Sequence, residues 1–374
     1  MRRIDDDSSG KGKDAKSKTR FRVLGTLYLV GICLGVIVAE RIYVLKRAVI
    51  PRPRQLVSSI EQRIESAMHN IGHHHAAQGP PRNDLEAYLR RIAPQREVLA
   101  CVANENIVKN GMVETYTQGY KRNNITNSMI LALDQYTVDW CHANGVNAYL
   151  MNMSIAEVHK GTGDNHAVSA LKFGILTKFI ELGWSVLLSD VDICIFQNPF
   201  EHLYRDSDIE GQTDGFDEHT AYGSIEGFDD PSMGWGRYAQ YYKHFNMNSG
   251  LFYVMANNRT LEMMTRLADR LARERHWDQT AYNEEMFFLS HGSYKSPQVS
   301  VRVMEIDKFM NSKRLFKDIR HRPKGQQPPL PVMVHINYHP DKHDRMKAVV
   351  KYFLEGDEHA LDRFPGGSEP NTRR

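Results

Sequence analysis

The sequence predicts an α/β protein with a mostly parallel sheet and flanking helices, and two observations lead to this class. Short, continuous apolar runs typical of buried strands occur at residues 98–103, 128–133 and 185–188. Segments of helical period separate them, the longest at residues 167–182. Strands that alternate with helices form doubly wound parallel sheets. Such sheets bind ligands beyond the carboxyl ends of their strands, so the residues there are the first candidates for a site.

Three segments are predicted before this domain, and the first two are a basic cytoplasmic tail at residues 1–22 and a membrane anchor at residues 23–45. Residues 23–39 are uncharged and mostly apolar, close to the minimum length that crosses a bilayer as a helix. A signal peptide fits less well, because the run exceeds a usual signal core and no small-residue cleavage site follows. The Lys and Arg residues before the run favour a cytoplasmic N-terminus, and hence a single-pass type II topology.

Residues 46–96 are predicted to form a stem and linker. Apolar residues recur there every four positions, a narrow stripe typical of one exposed or self-associating helix, at Leu56, Ile60, Ile64 and Met68. This stripe would suit a homodimer formed through the stem. A Gly-Pro-Pro linker follows. The α/β domain is expected at residues 97–365 and a disordered tail at residues 366–374.

Composition excludes several classes of protein. The chain of 374 residues has a net charge of +3, but residues 1–54 hold 13 Lys and Arg against 5 Asp and Glu. That part is therefore +8 and the remaining 320 residues are −5, so nucleic-acid binding through a basic domain face is not expected. Four cysteines are too few for a disulfide scaffold, and their positions show no CxxC pair and no zinc spacing; their pairing is left open.

The residues after the apolar run at 185–188 carry the strongest signal for chemistry. Asp190 and Asp192 follow that run directly. Burying carboxylates alone is costly, so each needs a cation, a donor or water. Oxygen ligands on a short turn suit Mn²⁺ or Mg²⁺, which can bridge a diphosphate. Asp-x-Asp pairs are common in loops, so the pair alone is weak evidence for a metal site. Its position directly after an apolar strand is what supports the metal interpretation.

A second polar segment follows an apolar strand predicted at residues 332–334. His335 and His339 each offer an imidazole ligand for the same metal, and Lys342 offers a point charge for phosphate. From spacing alone, a polar surface loop with two histidines is an equally good interpretation.

Six segments taken together resemble glycosyltransferase family 77, whose members are nucleotide-diphospho-sugar transferases. They follow that family's order, at residues 163–173, 188–200, 248–250, 277–285, 309–313 and 335–342. The similarity covers roughly residues 97–365 and is greatest to the plant and algal "reduced residual arabinose" arabinosyltransferases.

The resemblance implies a GT-A type fold and a metal-dependent, anomer-retaining transferase that uses a UDP-sugar with Mn²⁺ or Mg²⁺. For the arabinosyl branch, the donor would be UDP-L-arabinofuranose and the acceptor arabinosylated hydroxyproline of extensin-like cell-wall glycoproteins. A type II anchor with a lumenal catalytic domain in the Golgi fits such an enzyme. Two alternatives stay open: transfer of xylose or galactose to a cell-wall glycan, and a membrane protein that binds a sugar nucleotide without catalysis.

The resemblance also implies a role for each matching residue. The metal ligands would be Asp190, Asp192 and His335, with His339 as the weaker alternative to His335. Substrate contacts would come from Asn165, Lys172, Asp190, Asn248, Asn337 and Lys342. Asp278 and Gln279 are the catalytic candidates on the far face of the sugar. Front-face attack, in which the leaving phosphate takes the proton of the acceptor, is the alternative mechanism.

Residues 206–230 are rich in Asp, Glu and Gly and lack apolar periodicity. This composition predicts a mobile loop close to the site that orders when the donor binds. Its acidic residues would suit a Lys-rich, hydroxyproline-rich acceptor.

Overall fold

The computed structural model describes residues 79–151, 164–222, 247–287 and 299–364. The predicted cytoplasmic tail, the membrane anchor, most of the stem and the C-terminal tail lie outside these ranges. Among the described residues, no helix combines the length and the apolar character needed to cross a membrane.

The described residues form ten strands and nine α-helices. The strands are β1 Glu97–Ala103, β2 Ser128–Ala132, β3 Ala148–Leu150, β4 Ser185–Ser189, β5 Ile193–Ile195, β6 Ile209–Thr213, β7 Met247–Val254, β8 Val301–Val303, β9 Phe309–Asn311 and β10 Met333–His335. The helices are α1 Asp84–Ile92, α2 Glu105–Lys109, α3 Met112–Arg122, α4 Gln135–Ala143, α5 Asp164–Glu181, α6 Glu218–Tyr222, α7 Asn258–Arg273, α8 Asp278–Phe287 and α9 Lys342–Val350.

Seven strands form the main sheet in the order β3-β2-β1-β4-β7-β6-β8. β1 pairs in parallel with β2 and β4, while β7 runs antiparallel between β4 and β6. The predicted α/β class with a mostly parallel sheet is therefore confirmed. A second sheet has the order β5-β10-β9, with β10 antiparallel to β5 and parallel to β9. Only residues 190–192 separate β4 in the main sheet from β5 in the second sheet.

Each face of the main sheet packs against its own hydrophobic cluster, which explains why the sequence of β1 is continuously apolar. Val98 and Ala100 belong to the cluster under α1, α5, α7 and α8. Leu99 and Cys101 belong to the other cluster, with α3, α9 and the second sheet. Alternate side chains of a strand point to opposite faces, so a strand covered on both sides needs apolar residues at every position.

Side-chain caps fix where three of the helices begin. Asn83 accepts a hydrogen bond from the backbone N–H of Glu86 at the start of α1, and Asp134 does the same for Thr137 in α4. Asn257 and Thr260 form a reciprocal capping box at the start of α7. These bonds satisfy backbone donors that have no partner within the helix.

Two predictions of local structure need correction. Helix α1 lies in the segment predicted as stem, yet Leu85 and Leu89 are buried in the domain core, so the folded domain extends N-terminal to residue 97. The predicted loop at 206–230 contains β6 and α6, while residues 223–246 lie outside the described ranges. β6 is rich in polar residues but fully buried. Its polar side chains can be buried because they have hydrogen-bond partners inside the protein.

Candidate active site

The Asp-x-Asp segment lies where the two sheets meet. Asp190 follows β4 directly, and its backbone N–H donates to the carbonyl oxygen of Gly250 in β7 at 2.6 Å. Asp192 precedes β5, and its carbonyl oxygen accepts from the backbone N–H of Ile336 at 2.8 Å. β5 pairs with β10 so that His335 lies opposite Ile193. Backbone pairing therefore places the end of β10 beside both aspartates.

Asp190, Asp192 and His335 form a cluster that fits a divalent metal. One ligand atom from each of the three lies within 4.8 Å of the others, and His335 Nε2 is 3.2 Å from Asp192 Oδ1. Two carboxylates and an imidazole suit Mn²⁺ or another divalent ion. The structure thus brings together the three predicted ligands, and the histidine of this cluster is His335.

Gly250 tests whether this cluster fits a metal. A Cβ atom at this position would lie 2.4 Å from Asp190 Oδ2 and 2.7 Å from His335 Cε1. The strand therefore approaches the cluster too closely for any side chain, and the space that a Cβ would fill lies against two of the ligands. A glycine inside a strand often marks such an approach.

Lys342 neutralises the buried aspartate of the cluster. Its Nζ is 2.6 Å from Asp192 Oδ2, and Asp192 is only 3% exposed. Burial opposes the charge on Asp192, but His335 and Lys342 hold the pKa of this carboxyl well below its usual range. Burial likewise opposes the charge on Lys342, and Asp192 raises the lysine pKa above its usual value. Both groups are therefore charged near neutral pH.

A second set of polar residues lies beside Asp190. Lys172 Nζ is 2.9 Å from Asp278 Oδ2 and 3.9 Å from Asp190 Oδ1. Ser249 donates to Asp278 Oδ2 at 2.9 Å and lies 3.3 Å from Lys172 Nζ. Burial opposes both charges, yet attraction raises the pKa of Lys172 and lowers that of Asp278. Lys172, predicted to contact the donor, is thus held by Asp278.

Gln279 and Asn248 are joined through Asp214. Gln279 Nε2 and Asn248 Nδ2 donate to the two carboxylate oxygens of Asp214, at 2.6 and 2.8 Å. Gln279 Oε1 accepts from the backbone N–H of Ser249 at 3.2 Å. Both ends of the Gln279 amide are therefore engaged, and Asp214 is a member of the site that sequence reasoning placed in a loop.

A cavity of 790 Å³ opens beside the metal cluster. Its walls include Asp190, Asp192, Lys172 and Lys342, together with Asn104, Asn106 and Asn110 from the region after β1. Its volume lies within the range of small-molecule sites. The cluster thus faces a space large enough for a nucleotide.

Comparisons with known proteins identify the family. The sequence profile of a family described as nucleotide-diphospho-sugar transferase matches residues 123–349. The chain belongs to this family. The resemblance inferred from the motifs is therefore confirmed.

Two relatives of this chain come from Arabidopsis thaliana. Arabinosyltransferase RRA2 is 44% identical over 76% of this chain and 66% of its own length. Arabinosyltransferase RRA1 is 39% identical over 76% of this chain and 70% of its own length. The chain thus spans about two thirds of these relatives. A crystal structure of galactosyltransferase LgtC covers 69% of this chain and 96% of its own at 12% identity and a TM-score of 0.45, a likeness too low to bear on function.

The remaining predicted residues of the transferase fall into two groups. Asn337 is buried beside the cluster, and its Nδ2 has no hydrogen-bond partner among the described residues, as expected of a group that awaits a ligand. Asn165 lies in α5, but its side chain is outside the described part of the structure. Sequence reasoning gave no role to Gln212, Ser249 or Gly250. The last two lie in a segment that resembled the family, whereas nothing in the local pattern marks Gln212.

Proposed function

We propose that this chain is a metal-dependent glycosyltransferase that moves L-arabinofuranose from UDP to arabinose already attached to hydroxyproline of cell-wall glycoproteins. The observation that carries the proposal is the cluster of Asp190, Asp192 and His335 at the edge of the 790 Å³ cavity. Arabinose as the sugar is supported by the names of the two relatives at 44% and 39% identity. The hydroxyproline acceptor rests on the motif resemblance.

The donor diphosphate would lie between the metal cluster and the start of α9. Mn²⁺ or Mg²⁺ held by Asp190, Asp192 and His335 would supply Lewis-acid stabilisation of the charge that develops on the leaving UDP. Lys342 is the first residue of α9, so its ammonium group and the free N–H groups of the first turn would face the same anion. Asn337 Nδ2 offers one further donor close by.

The contacts of Asp278 and Gln279 favour front-face attack. The Asp278 charge is neutralised by Lys172, and both ends of the Gln279 amide are hydrogen-bonded, so neither is a free nucleophile. The acceptor hydroxyl oxygen would then form its bond to C1 of the sugar as the bond from C1 to the phosphate oxygen breaks. The proton of the hydroxyl would pass to the leaving phosphate oxygen, and the anomeric configuration would be retained.

The membrane setting is part of the proposal. The apolar run at residues 23–39 between basic segments would anchor the chain as a type II protein. The catalytic domain would then lie in the Golgi lumen, where cell-wall glycoproteins acquire their sugars.

A panel of donors tests the proposed activity. The full chain, in detergent with Mn²⁺ and a hydroxyproline-arabinoside acceptor, should form product with UDP-L-arabinofuranose and much less with UDP-xylose or UDP-galactose. If product forms only with UDP-xylose or only with UDP-galactose, that sugar and not arabinose is the one transferred. Binding of the nucleotide sugars without any product, in wild type and in Asp192→Asn alike, would instead indicate a non-catalytic binding protein.

A further inference from the structure

Gln212 lies in β6 behind the metal cluster, and its orientation is fixed by its neighbours. The side chain is buried, at 1% exposure. Its Nε2 donates to the carbonyl oxygens of Phe309 and Met310 at 3.2 and 2.7 Å. Carbonyl oxygens only accept hydrogen bonds, so the NH₂ end of the amide has to face them. The oxygen end therefore faces the opposite way.

That oxygen end meets His335. Gln212 Oε1 lies 2.9 Å from His335 Nδ1. An amide oxygen has no proton to donate, so Nδ1 has to carry the hydrogen of this bond. In a neutral imidazole the other nitrogen then has the lone pair, and that nitrogen, Nε2, is the one beside Asp192 in the metal cluster.

We propose that Gln212 is a positioning residue for the metal: it fixes the tautomer and the ring orientation of His335 so that Nε2 points a lone pair at the ion. The proposal rests on the metal dependence in the proposed function. Histidine ligands usually donate their other N–H to an acceptor, and loss of that acceptor typically weakens metal binding 10- to 100-fold.

The same contacts could serve only to tie β6 to β9, so the test has to separate the two roles. If Gln212 acts through His335, substituting Gln212 should not change the metal affinity of a protein that already lacks His335. The effects of Gln212→Met and His335→Ala on metal affinity would then be strongly non-additive. A tie between strands would lower stability but leave the Mn²⁺ affinity of the folded protein unchanged.

The experiment is a titration of the full chain with Mn²⁺, in detergent and without any sugar donor. The electron paramagnetic resonance signal of the free ion measures how much Mn²⁺ is bound. Gln212→Met should weaken binding about 10- to 100-fold. The double variant with His335→Ala should bind no more weakly than His335→Ala alone. The matched control is Gln197→Met, which removes an amide that donates to the Leu330 carbonyl next to the second sheet without touching His335. Thermal unfolding in EDTA reports the purely structural part of each substitution.

Two results would overturn the positioning role: an affinity of Gln212→Met within twofold of wild type, or a loss that adds fully to that of His335→Ala. If Gln212→Met does not fold, ¹⁵N spectra of labelled histidines in the wild-type chain with Mg²⁺ decide, since the proposal requires the hydrogen on Nδ1 of His335. Wild type that binds Mn²⁺ but transfers no arabinose would refute only the proposed sugar transfer. Wild type that binds no Mn²⁺ would refute the metal dependence and the role of Gln212 together.

Discussion

Two parts of the site differ in how far their polar groups satisfy one another. The part called the cavity side comprises the metal cluster with Lys342, Asn337 and His339. The part called the far side comprises Lys172, Ser249, Asp278, Gln279 and Asp214, of which Lys172 also lines the cavity. On the cavity side, the Asp190 side chain is 44% exposed, and Asn337 Nδ2 and His339 Nε2 have no hydrogen-bond partner in the described part of the chain. On the far side, the Lys172 and Asp278 side chains are 5% and 6% exposed and pair with each other. Buried polar groups are normally satisfied, so the cavity side is built for a ligand and the far side is built to hold its shape.

This difference indicates separate roles for Lys342 and Lys172, which sequence analysis alone treated alike as substrate contacts. The cavity side would bind the metal and the diphosphate, whose charges complete its unsatisfied groups. The far side would present a rigid surface to the sugar, because Asp278, Ser249 and Lys172 already fix one another. Substitutions on the two sides should therefore change different measured quantities.

The largest expected effect is on stability and comes from the far side. Lys172→Met removes one partner of a buried ion pair and leaves Asp278 without its cation, which typically costs about 3–5 kcal/mol of unfolding free energy. Denaturant unfolding measures the loss. Lys109→Met is the control, because its pair with Glu105 is exposed on both sides and exposed pairs contribute little to stability. Equal, small losses in both variants would contradict the idea of a self-satisfied far side.

The next effect is on catalysis and comes from the cavity side. Asp192→Asn keeps the shape of a metal ligand but removes its charge, so kcat/KM should fall about 10²- to 10³-fold, several kcal/mol of lost charge stabilisation. Steady-state kinetics with Mn²⁺ measures it, and the exposed Asp362→Asn serves as control. Activity within tenfold of wild type would exclude Asp192 from the metal site.

Gly250→Ala should give a smaller loss through crowding alone. The added methyl would contact Asp190 Oδ2 and His335 Cε1 at less than normal separation, so the two ligands have to move apart. We expect Mn²⁺ affinity to fall about 10- to 100-fold, as it does when the groups that orient metal ligands are lost. Gly325→Ala is the control, since a Cβ there meets nothing within 4 Å. Unchanged affinity would show that the cluster tolerates the displacement.

Sequence reasoning named residues on both sides, but it predicted the contacts of the cavity side better than those of the far side, for a physical reason. Asp190 and Asp192 follow an apolar strand and His335 lies at the end of another, and strand ends are recognisable without knowing the partners of the strands. The contacts of Lys172, Gln212 and Asp214 depend on the antiparallel insertion of β7 and on the meeting of the two sheets. Such long-range pairings leave little trace in local periodicity, and β6 was missed because its buried residues are polar.

The smallest expected effect is on the pH dependence of stability and comes from His339. Burial, assisted by Arg345, lowers the pKa of His339 to about 4, so the folded protein binds fewer protons here than the unfolded chain does. Stability should therefore fall as pH drops from about 6.5 toward 4, by about 1–2 kcal/mol between pH 7 and pH 5. His339→Gln should remove this part of the pH dependence, whereas His142→Gln at an exposed position should keep it. Unfolding free energies at pH 7, 6 and 5 measure the slope, and equal slopes in wild type and His339→Gln would mean that His339 is not held neutral by its site.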